Sequence, residues 1–313
     1  MLKLPEKIVV TGAAGLVGQN LIQRLRARGG TRIVAIDKNA HNARILAEQQ
    51  SGVELVVADL AEPGAWADQL ADCGALVCGH AQIGGLDGAE FVRNNLRATE
   101  LLMEAAKAHA VPYLVNISSS VVNSMAVDHY TETKKAQEEI VRASGIAQVV
   151  LRPTLMFGWF DRKHLGWLAR FMDRTPLFPV PGNGRYLRQP LYVGDFCDIV
   201  VAAIGERITG AYNISGQERI DYIDLIRALK RATGAKARIV RLPYGLFWLL
   251  LKSYALVNRN PPFTTKQLRA LATPDLFEII DWPAIFGVRS TPLARALEET
   301  FRHPVHSQVA LQF

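Results

Sequence analysis

Tyr130 and Lys134 are the two residues in this chain best suited, by type and spacing, to move a proton. A spacing of four puts both side chains on one face of a helix, one turn apart. A phenol with a pKa of about 10 is a poor acid or base at neutral pH. An ammonium beside it would stabilise the phenolate and lower that value, so the tyrosine could exchange a proton with an alcohol or carbonyl. Upstream, the apolar run Tyr113–Ile117 ends in Ser118-Ser119-Ser120. Hydroxyls at the carboxyl end of a parallel strand sit on its ligand-binding edge. The competing reading is a serine-rich turn bonded to its own backbone.

A second constellation opens the chain. Lys7–Thr11 is apolar and strand-like, Gly12-Ala13-Ala14-Gly15-Leu16-Val17-Gly18 follows, and an amphipathic run leads to Arg28. A second apolar run, Arg32–Asp37, ends in a carboxylate. Gly12 permits a sharp turn, and Gly15 lets backbone N–H groups approach a pyrophosphate at a helix N-terminus. Gly18 lets the helix pack closely on the strand. Asp37 stands 19 residues past Gly18 and can accept hydrogen bonds from adenosine ribose hydroxyls. It would also repel a 2′-phosphate, which favours NAD, while Lys38 and Arg44 keep NADP open.

These groups need elements to hold them. Further strand-like runs are Val53–Val57, Ala75–Cys78, Tyr113–Ile117 and Gln148–Leu151, and helix-like segments Asn42–Gln50, Gly64–Leu70, Ala89–His109 and Tyr130–Ser144 lie between them. Such alternation predicts a doubly wound parallel sheet. Val53–Val57 reads as a strand buried on both faces. Residues 153–190 are rich in proline and aromatics and read as loops and short helices. Then come strand-like Leu191–Val193, helix Asp195–Ile204, strand Ala211–Ile214, helix Tyr222–Ala232 and strand Arg238–Leu242. Short helices broken by Pro261, Pro262, Pro274, Pro283 and Pro292 close the chain, with a frayed tail after His303. The expected nucleotide domain is 1–153 with about 191–207; the substrate domain is about 154–190 with 208–305.

At 313 residues, with 49% apolar and 21% charged content, the chain describes an ordinary globular protein. The net charge of +7 favours anionic partners. The Lys and Arg are scattered, without a basic run interleaved with aromatics, so a small anionic ligand is expected rather than a nucleic acid. Cys73, Cys78 and Cys197 form no Cys-x-x-Cys pair and no metal set is expected. Buried thiols in a reducing cytoplasm are the default. The N-terminus lacks the apolar core of a signal peptide. Leu246–Leu251 is too short to span a bilayer; it reads as a core or interface helix, with peripheral membrane contact as the alternative.

Glycine turn, strand-end serines and Tyr-x-x-x-Lys, in this order, resemble the extended short-chain dehydrogenases/reductases that act on nucleotide sugars. The resemblance covers about residues 7–300. It implies a Rossmann-type sheet with a smaller interleaved substrate-binding α/β domain, and a homodimer joined through Ala89–His109 and Tyr130–Ser144. It also implies Ser119 as catalytic hydroxyl, Tyr130 as acid/base and Lys134 as its partner. NAD would be lined by Gly12, Ala14, Gly15, Leu16, Val17, Gly18, Asp37, Lys38, Asp59, Leu60, Ala81, Asn95, Ile117, Tyr130, Lys134 and Pro153. Ser119, Ser120, Arg185 and Arg188 would meet the substrate, the arginines at its diphosphate.

The chain departs from that family in places. Ser119 and Tyr130 are 11 positions apart, so a substrate-covering loop is trimmed. The histidine after the fourth strand is displaced to His80, which reads as a loop or cofactor-edge residue rather than a catalyst. Ser120 and Val121 stand where the family's dehydratases carry Asp-Glu, which speaks against dehydration. The expectation is oxidoreduction of a nucleotide sugar at C4, as an epimerase or a 4-keto reductase. A hydroxysteroid-type or other alcohol dehydrogenase is one alternative. A non-catalytic subunit like an accessory subunit of respiratory complex I is another, opposed by the intact Ser119, Tyr130 and Lys134.

Overall fold

The computed structural model describes residues 3–125, 127–161, 163–257, 265, 268, 271, 276–309 and 311–312. Pro261, Pro262 and Pro274 lie outside the described residues. Strands β1 (Lys7–Thr11), β2 (Arg32–Asp37), β3 (Glu54–Val57), β4 (Ala75–Cys78), β5 (Leu114–Ile117) and β6 (Gln148–Pro153) join Gly210–Ile214 in a seven-stranded sheet. Its order is Gly210–Ile214, β6, β5, β4, β1, β2, β3, and every pairing is parallel. Parallel neighbours need crossovers, which helices supply here. They are α1 (Leu16–Arg28), α2 (Ala40–Gln49), α3 (Gly88–Phe91), α4 (Ala98–Ala108) and α5 (His129–Ala143).

The two faces of the sheet carry separate cores. Ile8 and Val10 of β1 face α1 and α7 (Val193–Glu206). Val9 faces the other way, toward Leu101 and Leu102 of α4. Burial on both faces explains why β1 is apolar throughout. Since β2 and β4 flank β1, the strand order reverses there, and a crevice opens beyond the carboxyl ends of β1 and β4.

A smaller core gathers α6 (Leu165–Arg174), α8 (Tyr222–Thr233) and the helix Leu293–Arg302 around Phe178 and Val180. There Leu177–Pro181 pairs in parallel with Arg238–Leu242. Helix α9 (Tyr244–Val257) follows that strand.

Several expectations change. β3 sits at the sheet edge, so Val57 is exposed instead of buried on both faces. Gly64–Leu70 shrinks to one tight turn, Ala67–Leu70. Ala89–His109 is interrupted by a π-helical stretch, Val92–Arg97. Gly210–Ile214 lies in the large sheet, and Trp282 and Phe286 pack in its core, so the sheet's territory passes the boundary expected near 207. The end of the chain is anchored, not frayed. His306 and Leu311 are buried, and Asn42 Nδ2 donates to the Gln312 carbonyl at 2.6 Å. Leu246–Leu251 is helical, but Leu246, Leu249 and Leu250 are exposed rather than in a core. The three cysteines are free and buried, and burial pushes the Cys78 and Cys197 thiols up to about 12.

Candidate active site

At the end of β1, Gly12 adopts φ +62°, and a Cβ there would stand 2.5 Å from the Gly79 carbonyl oxygen. Only glycine allows the β1 and β4 loops to meet this closely. Gly15 caps α1 with no side-chain hydrogen bond, leaving the helix N-terminus suited to an anion. A Cβ on Gly18 would come within 2.4 Å of the Ala13 oxygen, so that glycine seats the helix on the turn. The backbones of Ala14, Leu16 and Val17 complete this stretch.

The Ala14 N–H donates to Asp37 Oδ2 at 2.9 Å, and Asn39 N–H donates to Oδ1 at 2.8 Å. Burial pushes the Asp37 carboxyl up, and these two donors oppose it. Each oxygen keeps acceptor capacity for a ribose hydroxyl. Lys38 Nζ donates to Asn94 Oδ1 at 2.8 Å, and Arg93 Nη1 donates to Asp59 Oδ2 at 2.7 Å. Against a burial effect, the Arg93 hydrogen bond holds Asp59 below the usual carboxylate range. Leu60 is buried and Ala81 exposed. An open glycine turn, an uncapped helix start and a carboxylate at the end of β2 fit a dinucleotide.

Asp128 opens α5 by accepting from Thr131 N–H at 2.9 Å. Two residues on stands the half-buried Tyr130, whose phenol feels Ser119, the residue just past the carboxyl end of β5. Burial raises the Tyr130 phenol above its ordinary value; Ser119 pulls it down and Asp128 pushes it up. Lys134 is not among the groups that shift the phenol. Lys134 is fully buried and its ammonium is turned to β5, donating to the Ile117 carbonyl at 3.0 Å and to Gln137 Oε1 at 2.5 Å. Burial pushes Lys134 down to about 8, partly offset by Glu138. The two residues share a helix face one turn apart, but the lysine's charge is spent on the Ile117 carbonyl and Gln137.

Around Lys134, His80 and Asn95 were singled out from sequence, whereas Thr99, Gln137 and Glu138 were not. Gln137 Nε2 donates to Thr99 Oγ1 at 2.9 Å. Thr99 lies 3.0 Å from His80 Nε2, and His80 Nδ1 lies 3.0 Å from Thr11 Oγ1. Burial, then Lys134, push His80 down to about 3, so it is a neutral bridge between β1 and α4. Asn95 is wholly buried in the π-helical stretch, accepting from Gln82 N–H at 2.6 Å and donating to Thr133 Oγ1 at 3.0 Å. Glu138 accepts from Ser118 Oγ at 2.5 Å and from both arms of Arg152 at 2.9 and 2.7 Å. The signal for Gln137 and Glu138 was present: three and four residues after Lys134, they share its face.

The remaining candidates are dispersed. Ser120 opens the turn Ser120–Asn123, and Pro153 ends β6. Arg185 pairs with Asp221 at 2.9 Å. Arg188 donates to the carbonyls of Leu187 and Leu271 and lies over the Tyr186 ring. Both arginines are thus engaged within the protein. Exposed Ile83 and Leu86 follow β4, and exposed Met125 and Val127 precede α5, giving this edge an apolar rim.

A family model described as "NAD dependent epimerase/dehydratase family" matches residues 8–215. A ceramide reductase of Caulobacter vibrioides is 28% identical over 242 residues, spanning 75% of this chain and 73% of that protein. A dTDP-glucose 4,6-dehydratase of Streptomyces niveus is 25% identical, over 75% and 80% of the two chains. Among solved structures, UDP-glucuronic acid 4-epimerase from Bacillus cereus in complex with NAD superposes with a TM-score of 0.73 at 23% identity, covering 95% of this chain and 97% of that one.

Proposed function

This chain belongs to the NAD-dependent epimerase/dehydratase family, and from that premise we propose that it interconverts a ketone and a secondary alcohol at C4 of a nucleotide sugar. The observation that carries the reading is the placing of Ser119, just past β5, and Tyr130, in the first turn of α5, at the ligand-binding edge of the sheet.

Gly12–Gly18 and Asp37 would hold NAD, which when bound would supply or accept a hydride. In the reducing direction Tyr130 gives its proton to the ketone oxygen as that oxygen becomes an alcohol. Ser119 donates a hydrogen bond to the same oxygen and stabilises its developing charge. Lys134 fixes the floor of the site through Ile117 and Gln137. With its phenol raised by burial, Tyr130 is protonated at neutral pH, the form reduction requires. Epimerisation requires the tyrosine to accept a proton as well as donate one, and 4-keto reduction only to donate one; the same residues serve either reaction. Ser120 and Val121 supply no acid–base pair for dehydration.

A second reading has its own support: reduction of a ketone on an apolar chain, as in an alcohol dehydrogenase of the hydroxysteroid type. It is favoured by the rim of Ile83, Leu86, Met125 and Val127, by the engagement of Arg185 and Arg188, and by the likeness to a ceramide reductase. Incubating the purified protein and NADH or NADPH with UDP- and dTDP-4-keto sugars, and separately with long-chain ketones, separates the two. Oxidation of NADH with a keto sugar is the expected result. Turnover of the long-chain ketone alone would replace the first reading with the second.

A further inference from the structure

Helix α9 is apolar through Leu251, with Lys252 and Ser253 the polar residues of its second half. Tyr244, Leu246, Trp248, Leu249 and Leu250 are between 38% and 55% exposed, and the less exposed Phe247 and Leu251, four apart, mark its protein-facing side. A helix with this composition is ordinarily buried. Its 14 residues extend about 21 Å at 1.5 Å per residue, short of the ~30 Å of a bilayer's hydrocarbon. No described helix is long and apolar enough to cross a membrane. An apolar phase could therefore be met along the side of α9 but not spanned by it.

The charge around α9 says which kind of surface that is. Lys and Arg are scattered along the chain, but Asp and Glu are missing from one stretch of it. Between Asp224 and Asp275 the sequence carries ten Lys and Arg and no Asp or Glu, more than the whole chain's net +7. Lys236, Arg238 and Arg241 are exposed on the approach to α9, and the Lys252 ammonium lies 4.8 Å from the centre of the Trp248 ring. A long cationic chain folded along an apolar helix, its charge kept at the rim, is the behaviour of residues at a lipid–water boundary. A second copy would bring the same basic segment against itself across a two-fold axis, which like charges oppose.

We propose that α9 with the basic strand before it is a docking surface for an anionic phospholipid bilayer. Leu246, Trp248, Leu249 and Leu250 enter the acyl boundary, and Lys236, Arg238, Arg241 and Lys252 meet lipid phosphates. The surface uses none of the residues assigned to the reaction: Ser119 follows β5, and Tyr130 and Lys134 stand on α5.

Flotation of the full chain with vesicles tests this, using phosphatidylcholine alone and phosphatidylcholine mixed with phosphatidylglycerol. The expected result is at least tenfold more protein bound to the mixed vesicles, falling with added salt. The double variant Leu246→Glu/Leu250→Glu should lose this binding, and Arg238→Glu/Arg241→Glu should weaken it severalfold. NAD binding and the urea midpoint of each variant verify that it is folded. Equal binding to neutral vesicles, no binding to either, or binding unchanged in both variants would overturn the proposal. So would light scattering that shows a dimer which Leu246→Glu/Leu250→Glu splits, or preferential binding of an RNA homopolymer over the mixed vesicles.

Discussion

Helix α5 is polar by composition, yet it buries Thr133, Lys134, Gln137 and Glu138; α9 is largely apolar, yet it leaves Leu246, Trp248, Leu249 and Leu250 exposed. Both run against the simplest relation between side chain and solvent. In α5 the cost of burying polar groups is met by partners: Thr133 with Asn95, Lys134 with Ile117 and Gln137, Glu138 with Ser118 and Arg152. In α9 apolar surface faces water with basic residues around it. The first pattern builds a site that chemistry can use; the second builds a surface that another apolar phase can cover.

The contrast can be broken most sharply at Tyr130. Tyr130→Phe should lower kcat about 10²- to 10⁴-fold in steady-state assays. Calorimetric NAD affinity should hold, because the glycine turn is untouched; unchanged turnover would remove Tyr130 from the mechanism. Next in size is Glu138→Ala, which strands Arg152 and the Ser118 hydroxyl. It should cost about 3 kcal/mol of unfolding free energy by urea titration. Gln137→Met keeps the volume but removes an acceptor from a buried ammonium, at about 2 kcal/mol. A cost near zero would show that Gln137 is not what holds Lys134.

Lys134 also predicts a pH dependence. Its folded pKa of about 8 lies below the ordinary lysine value, so between these two values the unfolded chain binds more protons. Stability therefore rises with pH across that window and is flat in this term below it. Urea midpoints of Lys134→Met should lack the rise. The smallest effect belongs to α9. Leu249→Ala should change stability by no more than about 0.5 kcal/mol, because its side chain already meets solvent. A loss of several kcal/mol would mean that α9 is core after all.

Much of the nucleotide half was legible because its signals are local. Glycines 12, 15 and 18, the apolar β1 and β2 and the carboxylate of Asp37 follow one another within 31 residues, and backbone sterics and helix dipoles act at that range. The order of strands and helices followed from alternation alone. The edge position of β3 did not, because exposure depends on which strand is last in the sheet. Nor did the anchoring of the tail, which rests on Asn42 and Gln23, far from it in sequence.

By itself, then, the sequence determined the family's sheet, the nucleotide turn and the placing of Tyr130 and Lys134 on one helix face, because spacing along a helix or strand is a property of the chain. Only the tertiary structure decided where the lysine's charge is spent, which groups surround it, and that Arg185 and Arg188 are engaged. Those outcomes turn on which distant groups come within about 3 Å of one another, and hydrogen bonds and ion pairs are decided at that distance.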